Sequence, residues 1–232
     1  MDSNQVILAA HHVHRDFTTP ESTLSVLRGV ELEVARQEMV AVTGASGVGK
    51  STLLHILGGL DRPTQGEITI GQVPLKGKSE RDLARFRTKK VGFVFQFHYL
   101  LDDFDALENV MIPMLLAGLS RDEATGRGEQ LLLQVGLIDR KGHRPKMLSG
   151  GEQQRVAVAR ALANDPDVVL ADEPSGNLDT ATGRNLHDLL FELNSQKAMT
   201  FVIATHNQEL ARRCDRCLEL IDGRLTEKPK EG

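Results

Sequence analysis

One run of eight residues, Gly44-Ala45-Ser46-Gly47-Val48-Gly49-Lys50-Ser51, constrains this chain more than any other. It follows a short apolar strand-like segment, 39–43, and precedes a stretch, 51–60, with the apolar spacing of a buried helix. Glycines at 44, 47 and 49 let the backbone turn tightly around a bound group without Cβ clashes. In a strand–turn–helix setting the loop amides point inward, and the helix N-terminus adds positive partial charge. The amides of Ala45, Ser46 and Val48 complete a cradle fitted to phosphate. Lys50 is expected to reach the outer phosphates, and the Ser51 hydroxyl, with Thr52 one residue on, to serve Mg²⁺. The alternative, a glycine turn with no ligand, leaves the lysine–serine pair at its end unexplained.

Apolar patterning around that turn sets the fold class. Strand-like runs occupy 6–17, 24–34, 39–43, 67–70 and 91–95, and return at 168–171, 201–204 and 217–221. The last of them turns at Asp222-Gly223, a favourable hairpin dipeptide. Helical spacing fills 107–118, 122–135, 151–163 and 181–193. Strands alternating with helices predict an α/β fold with a mainly parallel core sheet, and the opening strands add an N-terminal antiparallel β layer. The helix-rich block reads as a subdomain inserted into that core. The expectation is a single domain over 1–232, with its core in 1–97 and 165–232 and its helical insert in 98–164.

Two further motifs give the loop its meaning. The apolar run Val168-Val169-Leu170-Ala171 delivers Asp172 and Glu173 to a strand end. There Asp172 can help hold Mg²⁺ through water, and Glu173 can polarise the water that attacks a γ-phosphate. Many buried strands end in charge, so this pair is informative only beside the phosphate loop. The segment Leu148-Ser149-Gly150-Gly151-Glu152-Gln153-Gln154-Arg155 opens a helix with a serine and two glycines, a second anion-binding tip. One chain already grips its nucleotide with the first loop. The second tip is most simply explained if Ser149, Gly150 and Gly151 face the ATP of another copy.

With these motifs together the sequence resembles the ABC ATPase family over nearly its whole length. The resemblance implies an ATP-hydrolysing, P-loop motor that uses Mg²⁺, with Lys50, Gln96, Glu173 and His206 as catalytic residues. Ser51, Gln96 and Asp172 would hold the metal. Asp179, in Ser175-Gly176-Asn177-Leu178-Asp179, would couple the two sites across the dimer, and Phe17 would stack on adenine, where tyrosine is common. Ser175 and Asn207 are small departures from the usual threonine and aspartate. Gln96-Phe97-His98-Tyr99-Leu100-Leu101, Ala106–Val110, His143-Arg144-Pro145 and 172–179 resemble the LolD/MacB group of transporter ATPases. That likeness implies lipoprotein release, or alternatively drug or peptide efflux or a cell-division role. It also implies integral membrane subunits of the LolC/LolE kind and a peripheral place on the cytoplasmic face of a bacterial inner membrane. The apolar residues Phe97–Leu101, Phe104, Leu107 and 110–119 are candidates for a groove that receives a membrane-subunit helix, or equally for insert core.

Composition narrows the field. A net charge of −4 and scattered lysines and arginines give no field for nucleic acid. The longest apolar run, 110–119, is too short to span a bilayer, and the first residues lack the pattern of a secretory signal. Membrane contact is therefore expected only through partners. Cys214 and Cys217 have no second pair to complete a zinc site and read as ordinary thiols. His11, His12, His14, His55, His98, His143 and His187 read as solvated or satisfied side chains. A chromosome-structuring ATPase would need long coiled coils between phosphate loop and signature, and no sustained heptads occur there. A translation factor of the ABC type would carry two such domains. A non-catalytic regulator would not need both Glu173 and His206.

Overall fold

The computed structural model describes residues 5–228. The ends of the domain bounds drawn from sequence, 1–4 and 229–232, lie outside the described residues. The antiparallel layer comprises β1 (Val6–Thr18), β2 (Thr23–Ala35), β4 (Gln65–Ile70) and β5 (Val73–Pro74) in the order β2-β1-β4-β5. The second sheet contains β3 (Met39–Thr43), β6 (Val91–Val94), β7 (Val168–Asp172), β8 (Phe201–Ala204), β9 (Arg216–Ile221) and β10 (Arg224–Lys228). Its order is β10-β9-β3-β8-β7-β6, parallel from β9 to β6, with β10 as an antiparallel edge. The hairpin into β10 turns at Asp222 and Gly223, both at positive φ, as the dipeptide predicts.

Strand β3 is buried at every position because both sheet faces are covered. Val40 and Val42 pack with Leu53, Leu54, Ile56 and Leu57 of α1 (Lys50–Leu57) and with the antiparallel layer. Met39 and Ala41 face a second cluster. That cluster draws in α3 (Ala106–Ala117), α4 (Arg121–Gln134), α5 (Gly150–Ala161), α6 (Thr180–Lys197) and α7 (Gln208–Arg213). The inserted helices thus share one core with the sheet.

Local chemistry explains where the elements differ from expectation. Helix α1 stops at Leu57, short of residue 60, because Gly58 and Gly59 end it and Gly59 is left-handed at φ 68°. A Cβ on Gly58 would lie 2.2 Å from Phe93 Cζ, so the close packing there demands glycine. Residues 98–105 form no helix. Instead, buried Asn109 donates to the carbonyls of Leu101, Phe104 and Asp105 and accepts from the Leu101 amide. Helix α2 (Glu80–Lys90), strand β5 and helix α7 were not anticipated; α2 buries only Leu83 and so shows no apolar period. Among the described residues no helix is long and apolar enough to cross a membrane.

Candidate active site

Parallel pairing brings the motifs together. In β3, β8 and β7, Val42 stands opposite Ala204 and Ala204 opposite Asp172; Ala171 stands opposite Val94 of β6. Four adjacent strands therefore end level. They release the phosphate loop, His206, Asp172-Glu173 and Gln96 at one edge, the edge where open parallel sheets bind ligands.

The loop has the backbone that its glycines require. Gly44, Gly47 and Gly49 all have positive φ, and a Cβ on Gly44 would come within 2.6 Å of the Leu220 carbonyl. Lys50 is 9% exposed, and its Nζ donates to the Gly44 and Ala45 carbonyls at 3.0 and 3.1 Å, holding the ammonium over the loop. Ala45, Ser46, Gly47 and Ser51 are exposed, and Val48 and Thr52 half-buried. Gly49 begins α1 with no side-chain cap. The other six α-helices described, α2 to α7, are all capped by a side chain: Ser79, Asp105, Ser120, Ser149, Asp179 and Asn207. The α1 tip alone keeps its first amides open to an anion.

Glu173 follows β7 in a left-handed conformation, φ 46°, tied by its amide to the Ala204 carbonyl at 2.9 Å. Its Oε2 lies 2.9 Å from His206 Nδ1 and also accepts from the His206 amide at 3.2 Å. The carboxylate is only 15% exposed while the imidazole is 71% exposed, so His206 faces outward from a carboxylate it helps to fix. Asp172 Oδ1 is buried without a hydrogen-bond partner. A carboxylate oxygen left in that state is an open position for a cation or its water. No group of three His, Cys, Asp or Glu among the described residues could hold a metal alone. That donor set fits Mg²⁺ held largely by phosphates and water.

Gln96 Nε2 donates to Asn177 Oδ1 at 2.9 Å, and Asn177 Nδ2 donates back to the Gln96 carbonyl at 3.1 Å. Asn177 went unnoticed as a site residue because only the neighbouring Asp179 has a charge to draw attention. Asp179 caps α6: Oδ1 accepts from the Ala181 and Thr182 amides, and Oδ2 from Thr182 Oγ1 at 2.6 Å. Those bonds, led by the Thr182 hydroxyl, hold its carboxyl below the usual carboxylate range.

The serine–glycine tip opens α5 and packs against the segment that starts α6, with Gly150 beside Leu178. Ser149 Oγ accepts from the Glu152 amide, and Glu152 Oε2 accepts from the Ser149 amide at 2.8 Å, a reciprocal capping box. Gly151 sits against α6, where a Cβ would meet Thr182 Cγ2 at 2.3 Å. Two residues missed in sequence tie this helix to the segment after β6. Buried Gln154 donates to the Phe95 carbonyl, and Arg160 donates to the carbonyls of His98 and Tyr99. Phe17 lies at the far end of β1, 41% exposed, with the Arg15 guanidinium 4.4 Å from its ring centre.

Comparison with known proteins agrees with this geometry. Residues 27–176 match the family model described as ABC transporter. The chain is 48% identical over 222 residues to a lipoprotein-releasing system ATP-binding protein, LolD, of Legionella pneumophila strain Paris, covering 96% of this chain and 98% of that one. It is 50% identical, over 96% of its length and 97% of the relative's, to the uncharacterized ABC transporter ATP-binding protein YbbA of Escherichia coli K12. Its backbone matches that of the ATP-binding cassette MJ0796, a dimer bound to ADP and Pi in a post-hydrolysis state. There the TM-score is 0.89 at 37% identity, covering 97% of this chain and all of that one. With its phosphate loop, paired carboxylates and signature helix in one fold, the chain belongs to the ABC transporter family as an ATP-hydrolysing, ATP-binding subunit.

Proposed function

We propose that this subunit works as a pair of copies closed over two ATP molecules, and that the pair drives lipoprotein release through LolC/LolE-like membrane subunits. Its place would be the cytoplasmic face of a bacterial inner membrane. The observation that supports the pairing is the difference between the two helix tips, the α1 tip uncapped and the α5 tip closed by its own capping box. The phosphate loop stands at the strand ends that carry Gln96, Asp172, Glu173 and His206. Ser149, Gly150 and Gly151 instead open a helix packed on α6, and in this reading they meet the nucleotide of another copy. Lipoprotein release rests on the relatives named LolD, which match nearly the whole chain.

In this reading the loop amides and Lys50 hold the phosphates, and the other copy's signature tip closes over the γ-phosphate. Ser51, Gln96 and Asp172 would hold Mg²⁺, which when bound would supply charge neutralisation for the phosphates. Glu173 polarises the attacking water, and His206 fixes that carboxylate and contacts the γ-phosphate. Asp179 links the two sites, and Phe17 offers its ring to adenine.

The membrane subunits are assigned to a groove of about 290 Å³ between sheet and insert, lined by Leu60, Phe93, Phe95, Pro113, Leu116 and Arg160 among others. Phe97, Tyr99, Leu101 and Phe104 are also exposed, while Val110, Met111 and Met114 are core. The apolar stretch read from sequence thus divides into core residues and exposed ones, and the exposed ones are those left free for docking in this reading.

Glu173→Gln is expected to bind ATP, accumulate as a dimer on size exclusion, and turn over on the order of 10²–10⁴-fold more slowly. Normal turnover refutes the assignment. A second reading, an efflux or cell-division complex, stands beside it because YbbA, as similar to this chain as the LolD relatives, is an ABC transporter ATP-binding protein with no cargo in its name. Purifying the complex from membranes and identifying its integral subunits separates the two.

A further inference from the structure

We propose that His187, which no motif includes, is a positioning residue for hydrolysis: through Ser175 it clamps the turn that aims Glu173. The inference rests on the reading of Glu173 as the group that polarises water.

Glu173 is held at φ 46°, a conformation that a non-glycine residue keeps only when its surroundings fix it. On one side the fixing is visible: the Glu173 amide bonds the Ala204 carbonyl, and Thr205 and His206 approach the carboxylate. On the other side the chain turns at once, with the Gly176 amide donating to the Glu173 carbonyl at 2.9 Å. Ser175 lies inside that turn. Its Oγ is 2.8 Å from His187 Nε2, which anchors the turn to α6.

His187 is 2% exposed and lies among the buried leucines of α6, Leu186 and Leu190. A buried ring nitrogen costs stability unless it is paired, so an apolar side chain would serve better if packing were its only task. Its Nδ1 is buried with no partner. A neutral imidazole has one N–H donor and one acceptor, and an orphaned donor is the costlier to bury. The proton therefore belongs on Nε2, which donates to Ser175 Oγ. The charges facing the ring are Asp188 on α6 and Arg213 and Glu209 on α7. Arg213 is paired with Asp188 at 2.8 Å, and Glu209 with Arg184 at 3.3 Å. Burial, reinforced by Arg213, keeps the ring below the ordinary histidine range and so uncharged. With its lone pair engaged by His187, Ser175 can turn its own hydroxyl proton toward the cavity of about 180 Å³ that it shares with Glu173, Asp179 and His206.

Steady-state ATP hydrolysis tests the clamp. His187→Leu keeps the volume and removes the donor. It is expected to lower kcat about three- to tenfold, the worth of one buried hydrogen bond, with KM for ATP changed less than twofold. Ser175→Ala should give the same loss by a route that leaves α6 untouched. His187→Gln, whose amide can replace the Nε2 donor, should recover most of the rate. The double variant His187→Leu with Ser175→Ala should be no slower than either single one. Rates of both single variants within twofold of wild type, or losses that multiply in the double variant, overturn the proposal. Glu173→Gln is assayed in parallel. If it is inert while His187→Leu is normal, only the clamp fails; if it hydrolyses normally, the reading beneath the clamp fails as well.

Discussion

The α1 tip at Gly49 and the α5 tip at Ser149 offer the same kind of anion site but are finished to different degrees. The α1 tip has no side-chain cap and stands where four strand ends deliver a cation, two carboxylates, an amide and an imidazole. The α5 tip is closed by its own Ser149 and Glu152. The Glu152 carboxyl is held below the usual range by the Ser149 amide, so a negative charge already stands at that helix end, balanced by Arg140 at 3.3 Å. One tip is ready for a ligand within its own chain. The other is rigid but satisfied, and a phosphate reaches it only when a second copy brings one with enough other contacts to compete.

Variants at the two tips should therefore fail differently. Lys50→Ala is expected to produce the largest loss, on the order of 10²–10³-fold in turnover. Nucleotide binding by the isolated subunit should weaken with it, as read by a fluorescent ATP analogue. Gly151→Val forces a side chain into Thr182 and should remove ATP-driven dimerisation and most turnover while leaving that monomer binding intact. Equal weakening of monomer binding by both variants would erase the distinction between the tips.

A finer test uses the same contact. Gly151→Ala should cost about 1–3 kcal/mol in the packing of α5 on α6, because its Cβ overlaps Thr182 Cγ2. Thr182→Ser removes that methyl group and keeps the hydroxyl that bonds Asp179. The double variant should recover both Tm and dimerisation. Failure to recover would mean that the glycine is needed for the partner's nucleotide itself.

The same contrast explains what the sequence revealed. The phosphate loop was legible because a strand, three glycines at positive φ, a lysine and a helix can coexist in few other ways. The carboxylate pair and the signature followed from it. Helix α2 was not legible: it is held by the Ser79 cap and by charges at its ends, with Leu83 its only buried residue. Gln154, Asn177 and His187 escaped for another reason. Their partners are residues 59, 81 and 12 positions away, and uncharged polar side chains carry no sign of such pairing until the fold is built. Gln154 at least lies within the signature motif, where a buried amide could have been suspected.

The apolar segment after Gln96 gives the next prediction. Leu101 and Phe104 are exposed on the segment that follows the groove-lining Phe95, whereas Leu100 and Leu107 pack against the core. Leu101→Asp and Phe104→Asp should leave Tm within a few degrees and reduce the stimulation of ATPase by the membrane subunits. Leu107→Asp should chiefly lower Tm, by the cost of burying a charge. If stimulation survives both exposed changes, the segment after Gln96 takes no part in docking.

The smallest effect expected is a difference in acid sensitivity between the two halves. Burial holds His187, beside the catalytic turn, and His98, beside the signature helix, below the ordinary histidine value of 6.5. Above that value both rings are neutral in the folded and unfolded chain, and neither affects stability. As pH falls through it, the unfolded chain takes up protons that the folded chain still refuses, so unfolding is favoured. The loss continues until the folded rings titrate as well. Asp179 and Glu152 act in a lower window: their carboxyls are held down in the folded state, so their contribution is kept until pH falls into and below the carboxylate range. Between pH 7.5 and 5.5 the slope of Tm should therefore belong mainly to the two histidines. His187→Gln should flatten it by removing the catalytic half's share, and His98→Gln by removing the signature half's. If neither variant changes the slope, the acid response arises outside both halves, and burial of these rings has no bearing on how the two tips differ.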